Sequence, residues 1–229
     1  MGKSRIDPLL IVFGVVAAAE LVADAADLGP LRWITKPLLA PLLAAYLVRA
    51  GRRDPVAGAL VFACAGDVAL LFAGRTAFLI GILFFLGTQI CLLVAFLRRH
   101  RPRWPVLVAA GLLWVAANAL LWGRFGDLRV PLLVYSLSLF AMAAAATAQG
   151  RRITAGGLLF LVSDTLIALG RAGLRVPAHD LLVMSTYIAA LALIVTGWAA
   201  AARVPVVNGP HAPPRSRRTT HPDRPSAPA

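Results

Sequence analysis

The chain has 229 residues, 59% of them hydrophobic and 14% charged, with a mean hydropathy of +0.78 and a net charge of +13. Water could not solvate such a composition in a soluble domain of this size, so a polytopic membrane protein is indicated. The 23 basic residues do not mark a nucleic-acid surface, because they gather at the ends of apolar runs, where they set membrane topology.

In chain order, apolar runs extend from Pro8 to Ala26, Leu31 to Val48, Pro55 to Ala73, Thr76 to Leu97, Trp104 to Trp122, Val130 to Ala148, Ile153 to Leu169 and Ala178 to Ala202. Each is close to the ~20 residues that cross a hydrocarbon core about 30 Å thick. The runs are continuously apolar and rich in Ala and Leu, whereas a β-barrel needs short alternating segments. The predicted fold is therefore all-α, a polytopic bundle of about eight transmembrane helices.

Of the basic residues, 16 fall on one side of this arrangement and 7 on the other. The richer side is cytoplasmic by the positive-inside rule, which puts both termini in the cytoplasm. Two domains follow: residues 1–203 as the eight-helix transmembrane domain, and 204–229 as a disordered, basic, Pro-rich cytoplasmic tail that touches anionic lipid. The first 27 residues resemble a signal peptide, but the acidic stretch from Glu20 through Asp27 favours an uncleaved first span. Cys64 and Cys91 lie within spans and read as core residues, not as a disulfide.

A charge within a membrane carries a penalty of roughly 2.5 to 3.5 kcal/mol on insertion scales, so intramembrane polar residues are functional candidates. Asp67 lies about 18 Å and Asp164 about 16 Å from the cytoplasmic side at a 1.5 Å rise per residue, and Glu20 comes out level with them. Lys36 and Tyr135 start from the opposite side and lie about 8 Å deep. Asn118 and Tyr187 fall in the same outer half. Glu20, Asp24 and Asp27 form an i, i+4, i+7 stripe expected to face a cavity. Pro37 and Pro41 are expected to interrupt the second span and free backbone carbonyls. Gln89, deeper than the aspartates, would cap the cavity floor or bond across to another helix. The order Gly58, Phe62, Asp67 recurs as Gly156, Phe160, Asp164, a short hint of internal repetition.

Several of these segments carry a resemblance. TKPLLAPLLAAYL (35–47), GALVFACAGDVALLF and FLIGILFFLGTQICLLVAF resemble the second to fourth helices of the YhhN family of lysoplasmalogenases. VPLLVYSLSLFAMAAAA (130–146) resembles its sixth, and GGLLFLVSDTLIAL and LLVMSTYIAALALIVTG its seventh and eighth. The resemblance runs from about Leu31 to Gly197. It implies an eight-helix membrane enzyme that cleaves the vinyl ether bond of lysoplasmalogen to a fatty aldehyde and a glycerophospho-head-group. It carries the family's acids and lysine over to Asp67, Asp164 and Lys36. Gln89 stands where the family usually has His, Leu92 and Ile188 where it has Tyr, and Leu191 where it has Gln.

The implied chemistry needs one protonated carboxyl, to protonate the β-carbon of the vinyl ether, and one carboxylate, to stabilise the oxocarbenium ion and activate water. Asp67 and Asp164 are the catalytic candidates, with the roles not assigned between them. Lys36 would hold the lipid phosphate and Tyr135 or Tyr187 the glycerol hydroxyl, with Gln89, Glu20 and Asn118 completing a substrate-binding set. The partners are then a lysophospholipid substrate and membrane lipids. The location is a plasma (inner) membrane of bacterial type. Neither a cofactor nor a metal is expected: His100, His179, His211 and His221 read as loop or tail residues, so no span supplies imidazole. The other readings are a proton- or ion-coupled transporter and a lipid-binding member of the family without turnover.

Overall fold

Two helices start the same way: Asp7 Oδ1 accepts the Leu9 N–H at 2.9 Å, and Asp54 Oδ1 accepts the Val56 N–H at 3.2 Å. In each case a proline occupies the first helical position, where its missing N–H is harmless. In the computed structural model, which describes residues 7–201, these caps open α1 (Pro8–Ala25) and α3 (Pro55–Leu71). The other helices are α2 (Gly29–Arg49), α4 (Arg75–Arg99), α5 (Trp104–Leu121), α6 (Arg129–Ala146), α7 (Arg151–Arg171) and α8 (His179–Ala201). Two short 3₁₀ turns, Trp122–Arg124 and Gly126–Leu128, join α5 to α6. Gly74 and Gly150 enter α4 and α7 at φ of 106° and 100°, a region that side-chain-bearing residues rarely adopt.

All eight predicted spans are helices, and the described residues contain no strand. Seven of the helices are long and apolar enough to cross a membrane. The exception is α3, which stops at Leu71 instead of Ala73 and has 17 residues. The basic tail assigned to residues 204–229 lies outside the described residues.

Seven helices form a closed ring in the order α1, α2, α3, α4, α6, α7, α8 and back to α1, with α2 also touching α8. α5 stands outside the ring and packs chiefly on α6, and none of its residues is buried. Its sequence explains this: WPVLVAAGLLWVAANALL is apolar on every face, so all of it suits lipid. Only Trp114 and Asn118, one turn apart, bond to α6, donating to Ser136 Oγ at 3.0 and 3.3 Å.

Small residues close the tightest contact. A Cβ added to Gly156 on α7 would lie 2.9 Å from the Ala190 carbonyl oxygen and 3.0 Å from the Ile194 nitrogen of α8. Such close backbone approach is how helices associate where lipid offers no hydrophobic drive.

Several sequence expectations change here. Pro37 and Pro41 do not break α2, which is continuous. Pro41 lacks the N–H that would bond the Pro37 carbonyl, and the Cys64 thiol on α3 donates to that oxygen instead, at 3.4 Å. In the repeated Gly-Phe-Asp order the phenylalanines differ in setting: Phe62 is 40% exposed and lies over Gly87, while Phe160 is fully buried. His179 is not a loop residue but the first of α8, buried against Gly170.

Candidate active site

Each helix of the ring sends a polar side chain inward. α1 supplies Glu20, α2 Thr35 and Lys36, α3 Asp67, α4 Gln89, α6 Tyr135, α7 Asp164 and α8 Tyr187, all of them buried. Tyr187 donates its hydroxyl to Asp67 Oδ2 at 2.7 Å, and Tyr135 donates to Asp164 Oδ2. The two carboxyls lie within electrostatic reach of each other. The Tyr187 ring packs into the core, meeting Phe160 at 5.7 Å and Phe85 at 5.8 Å, both edge to face.

Around Asp67 the polar string continues. Lys36 faces both Asp67 and Glu20. Thr35 donates to Glu20 Oε2, while Glu20 Oε1 has no partner among the described residues. One turn nearer the loops, Asp24 pairs with Arg32 at 2.9 Å.

Asp164 and Tyr135 lie together on the wall of a cavity of about 80 Å³, which Asn118, Ser136 and Thr165 also line. Its other walls come from the last turn of α3, from α4, α6 and α7, and from Ala117, Asn118 and Leu121 of α5. They are mainly apolar, with Leu70, Ile82, Phe85, Leu132 and Leu139 among them. Asp164 is seven residues from the end of α7, about 10 Å below the loops on that side.

The structure brings most of the sequence candidates together but rearranges them. Asp67 does not line the cavity; it stands behind Tyr187 and Phe85. Lys36, expected about 8 Å deep and holding a phosphate, is seven residues into α2, only 8% exposed, and in electrostatic range of the Glu20 and Asp67 carboxyls. Tyr135 and Tyr187, expected to meet a glycerol hydroxyl, spend their hydroxyl protons on Asp164 and Asp67. Gln89 does not lie below the acids: its amide is beside the Tyr135 hydroxyl, fully buried, with neither polar atom in hydrogen-bond geometry to a described residue. α4 has 25 residues, about 37 Å of helix, so it must tilt or protrude, and counting depth from its first residue misplaces Gln89.

Asn118 does line the cavity, from outside the ring, with its amide bonded to the Trp114 carbonyl and Ser136. The acidic stripe is shorter than expected, because α1 ends at Ala25 and Asp27 sits exposed in the turn at φ 51°. Thr35 escaped the sequence reading. Its signal was available, since it stands one residue before Lys36 and faces Glu20 across the short α1–α2 turn.

A ring of lipid-spanning helices that turns its acids, lysine and tyrosines inward defines an integral, multi-pass membrane protein with a buried polar centre. The YhhN family profile matches residues 31–198, and the chain belongs to the YhhN family. Over 138 residues it is 36% identical to the pig (Sus scrofa) protein named Lysoplasmalogenase TMEM86B. The aligned stretch is 60% of this chain, which spans 60% of the length of that curated relative. No solved structure matches it.

Proposed function

We propose that this protein is a lysoplasmalogenase, hydrolysing the vinyl ether of a lysophospholipid to a fatty aldehyde and a glycerophospho-head-group. The observation that carries the reading is Asp164, bonded to Tyr135, as the carboxyl on the wall of a mainly apolar cavity within a lipid-spanning bundle. The family membership and the pig relative's printed name support it.

Asp164 is the general acid, because it is the carboxyl on the cavity wall. With Tyr135 occupying Oδ2, its proton on Oδ1 passes to the β-carbon of the vinyl ether, leaving an oxocarbenium ion. The resulting carboxylate takes a proton from water as the water oxygen bonds to the cationic carbon. The hemiacetal then collapses, its hydroxyl proton lost and the glycerol oxygen protonated, releasing aldehyde and alcohol. Asp67 acts at short range through low-dielectric protein, its negative charge favouring the cation. Lys36 balances Glu20 and Asp67 instead of gripping phosphate. In this reading the Arg-rich end of the bundle faces the cytoplasm and the site lies beneath the outer leaflet of a plasma membrane.

The test is aldehyde release from lysoplasmenylethanolamine by the purified protein. Asp164→Asn should lower it by about 10² or more. Full activity in that variant removes Asp164 from the mechanism, and no aldehyde from the wild type sinks the reading. The transport reading draws on the polar string from Asp24 to Asp164, and proton-coupled uptake in vesicles, abolished by Asp67→Asn, would favour it. The reading without turnover draws on Gln89, and it is favoured by lysolipid binding with no aldehyde formed.

A further inference from the structure

The cavity crosses the wall of the ring. Asp164, Leu70 and Phe85 belong to ring helices, yet Ala117, Asn118 and Leu121 of the outlying α5 line the same space. A pocket reserved for the ring interior would have no α5 residues in it.

α5 itself is lightly held. It has no buried residue, and its side-chain hydrogen bonds to α6 converge on one hydroxyl, that of Ser136. Its outer face, with Val115 at 56% and Leu120 at 80% exposure, is built for lipid. In a bilayer no hydrophobic force presses an apolar helix onto its neighbour, so little opposes a chain passing beside it. The volume of about 80 Å³ is far smaller than a long hydrocarbon chain needs.

We propose that this cavity is the site for the part of the lipid's hydrocarbon chain next to the ether, and that the remainder of the chain runs out past α5 into the bilayer. The proposal rests on the lysolipid reading above and adds where the chain lies. The occupant is committed by chemistry. Asp164 is the one carboxyl on the cavity wall and the group that would act on the ether, so the mainly apolar walls around it receive the carbons bonded to that ether. It follows that the protein does not measure chain length but does sense bulk near the ether.

The experiment is photo-crosslinking in lipid nanodiscs with 1-O-alkyl lysophosphoethanolamine, whose saturated ether has no vinyl carbon to protonate and so reports binding without turnover. One probe carries a diazirine on a chain carbon close to the ether, a second near the terminal methyl. The first should label peptides containing Ala117 to Leu121 and Leu132 to Leu139, and the second should label mainly lipid. Ala117→Trp should cut the proximal labelling about ten-fold by filling the cavity, and Ala117→Leu by less, while Ala116→Trp on the exposed side of α5 should leave it unchanged.

Proximal labelling on other helices, no labelling at all, or labelling indifferent to both Ala117 variants overturns the proposal. The two readings fail separately. Labelling as expected without aldehyde from the vinyl substrate removes the hydrolase and leaves the chain site. Aldehyde release with labelling elsewhere removes the chain site alone.

Discussion

Tyr187 on α8 donates its phenolic hydrogen to Asp67 on α3 across 2.7 Å, joining residues 120 positions apart in the chain. The bond spans the interior of the ring and is the partner that makes a buried carboxyl tolerable. Tyr187→Phe keeps the ring that packs on Phe85 and Phe160 but strips Asp67 of its donor. The variant should lose about 1 to 3 kcal/mol of stability, read from denaturant unfolding in detergent, and aldehyde release should fall with it. Unchanged stability would mean that another group serves Asp67.

Lys36 faces Glu20 and Asp67 in the bundle interior. Lys36→Met removes the one cation in electrostatic range of both acids and, with no direct ion pair to break, should destabilise the fold by less than the ~3 to 5 kcal/mol of a broken buried salt bridge. Adding Glu20→Gln removes one of the stranded charges, so the double variant should recover much of the loss. If Lys36 served only to hold phosphate, the single variant would raise the KM for lysolipid and leave unfolding untouched.

Gln89 buries an amide whose nitrogen and oxygen both lack hydrogen-bond partners among the described residues. Replacing an unpaired buried polar group with an apolar one of similar shape is often neutral or stabilising. Gln89→Leu should therefore unfold at the same or a higher denaturant concentration than the wild type. Its aldehyde release should drop, because the amide beside the Tyr135 hydroxyl is gone. Loss of stability together with activity would show that the amide is bonded in the working protein.

Gly156 is the tightest point between α7 and α8, with backbone atoms of α8 where a Cβ would go. Gly156→Ala should cost about 1 to 3 kcal/mol by forcing the helices apart. Gly14, which has nothing within 4 Å of the same position, should accept alanine without loss. Comparing the two unfolding curves separates helix crowding from the general effect of removing a glycine.

Much of this molecule is legible in its residues. Hydropathy alone demands membrane helices, because an apolar run of about 20 residues has no other way to satisfy its backbone in lipid. The same reasoning marks Asp67, Asp164, Lys36 and Glu20, since a charge inside such a run must turn away from lipid.

Which helices stand next to one another was not readable, and it decides the rest. α5 looks like its neighbours in composition, yet lies outside the ring; its one strongly polar side chain, Asn118, marks the face toward α6 but not the helix's place outside the ring. Depth reckoned along a single helix put Gln89 below the acids. The actual levels depend on tilt and on the length each helix leaves outside the core. The pairings Tyr187 with Asp67 and Tyr135 with Asp164, and the fact that only Asp164 reaches the cavity, are properties of the assembled ring. Local sequence sets what each helix must bury; the closing of seven helices around a common centre sets what each buried group finds there.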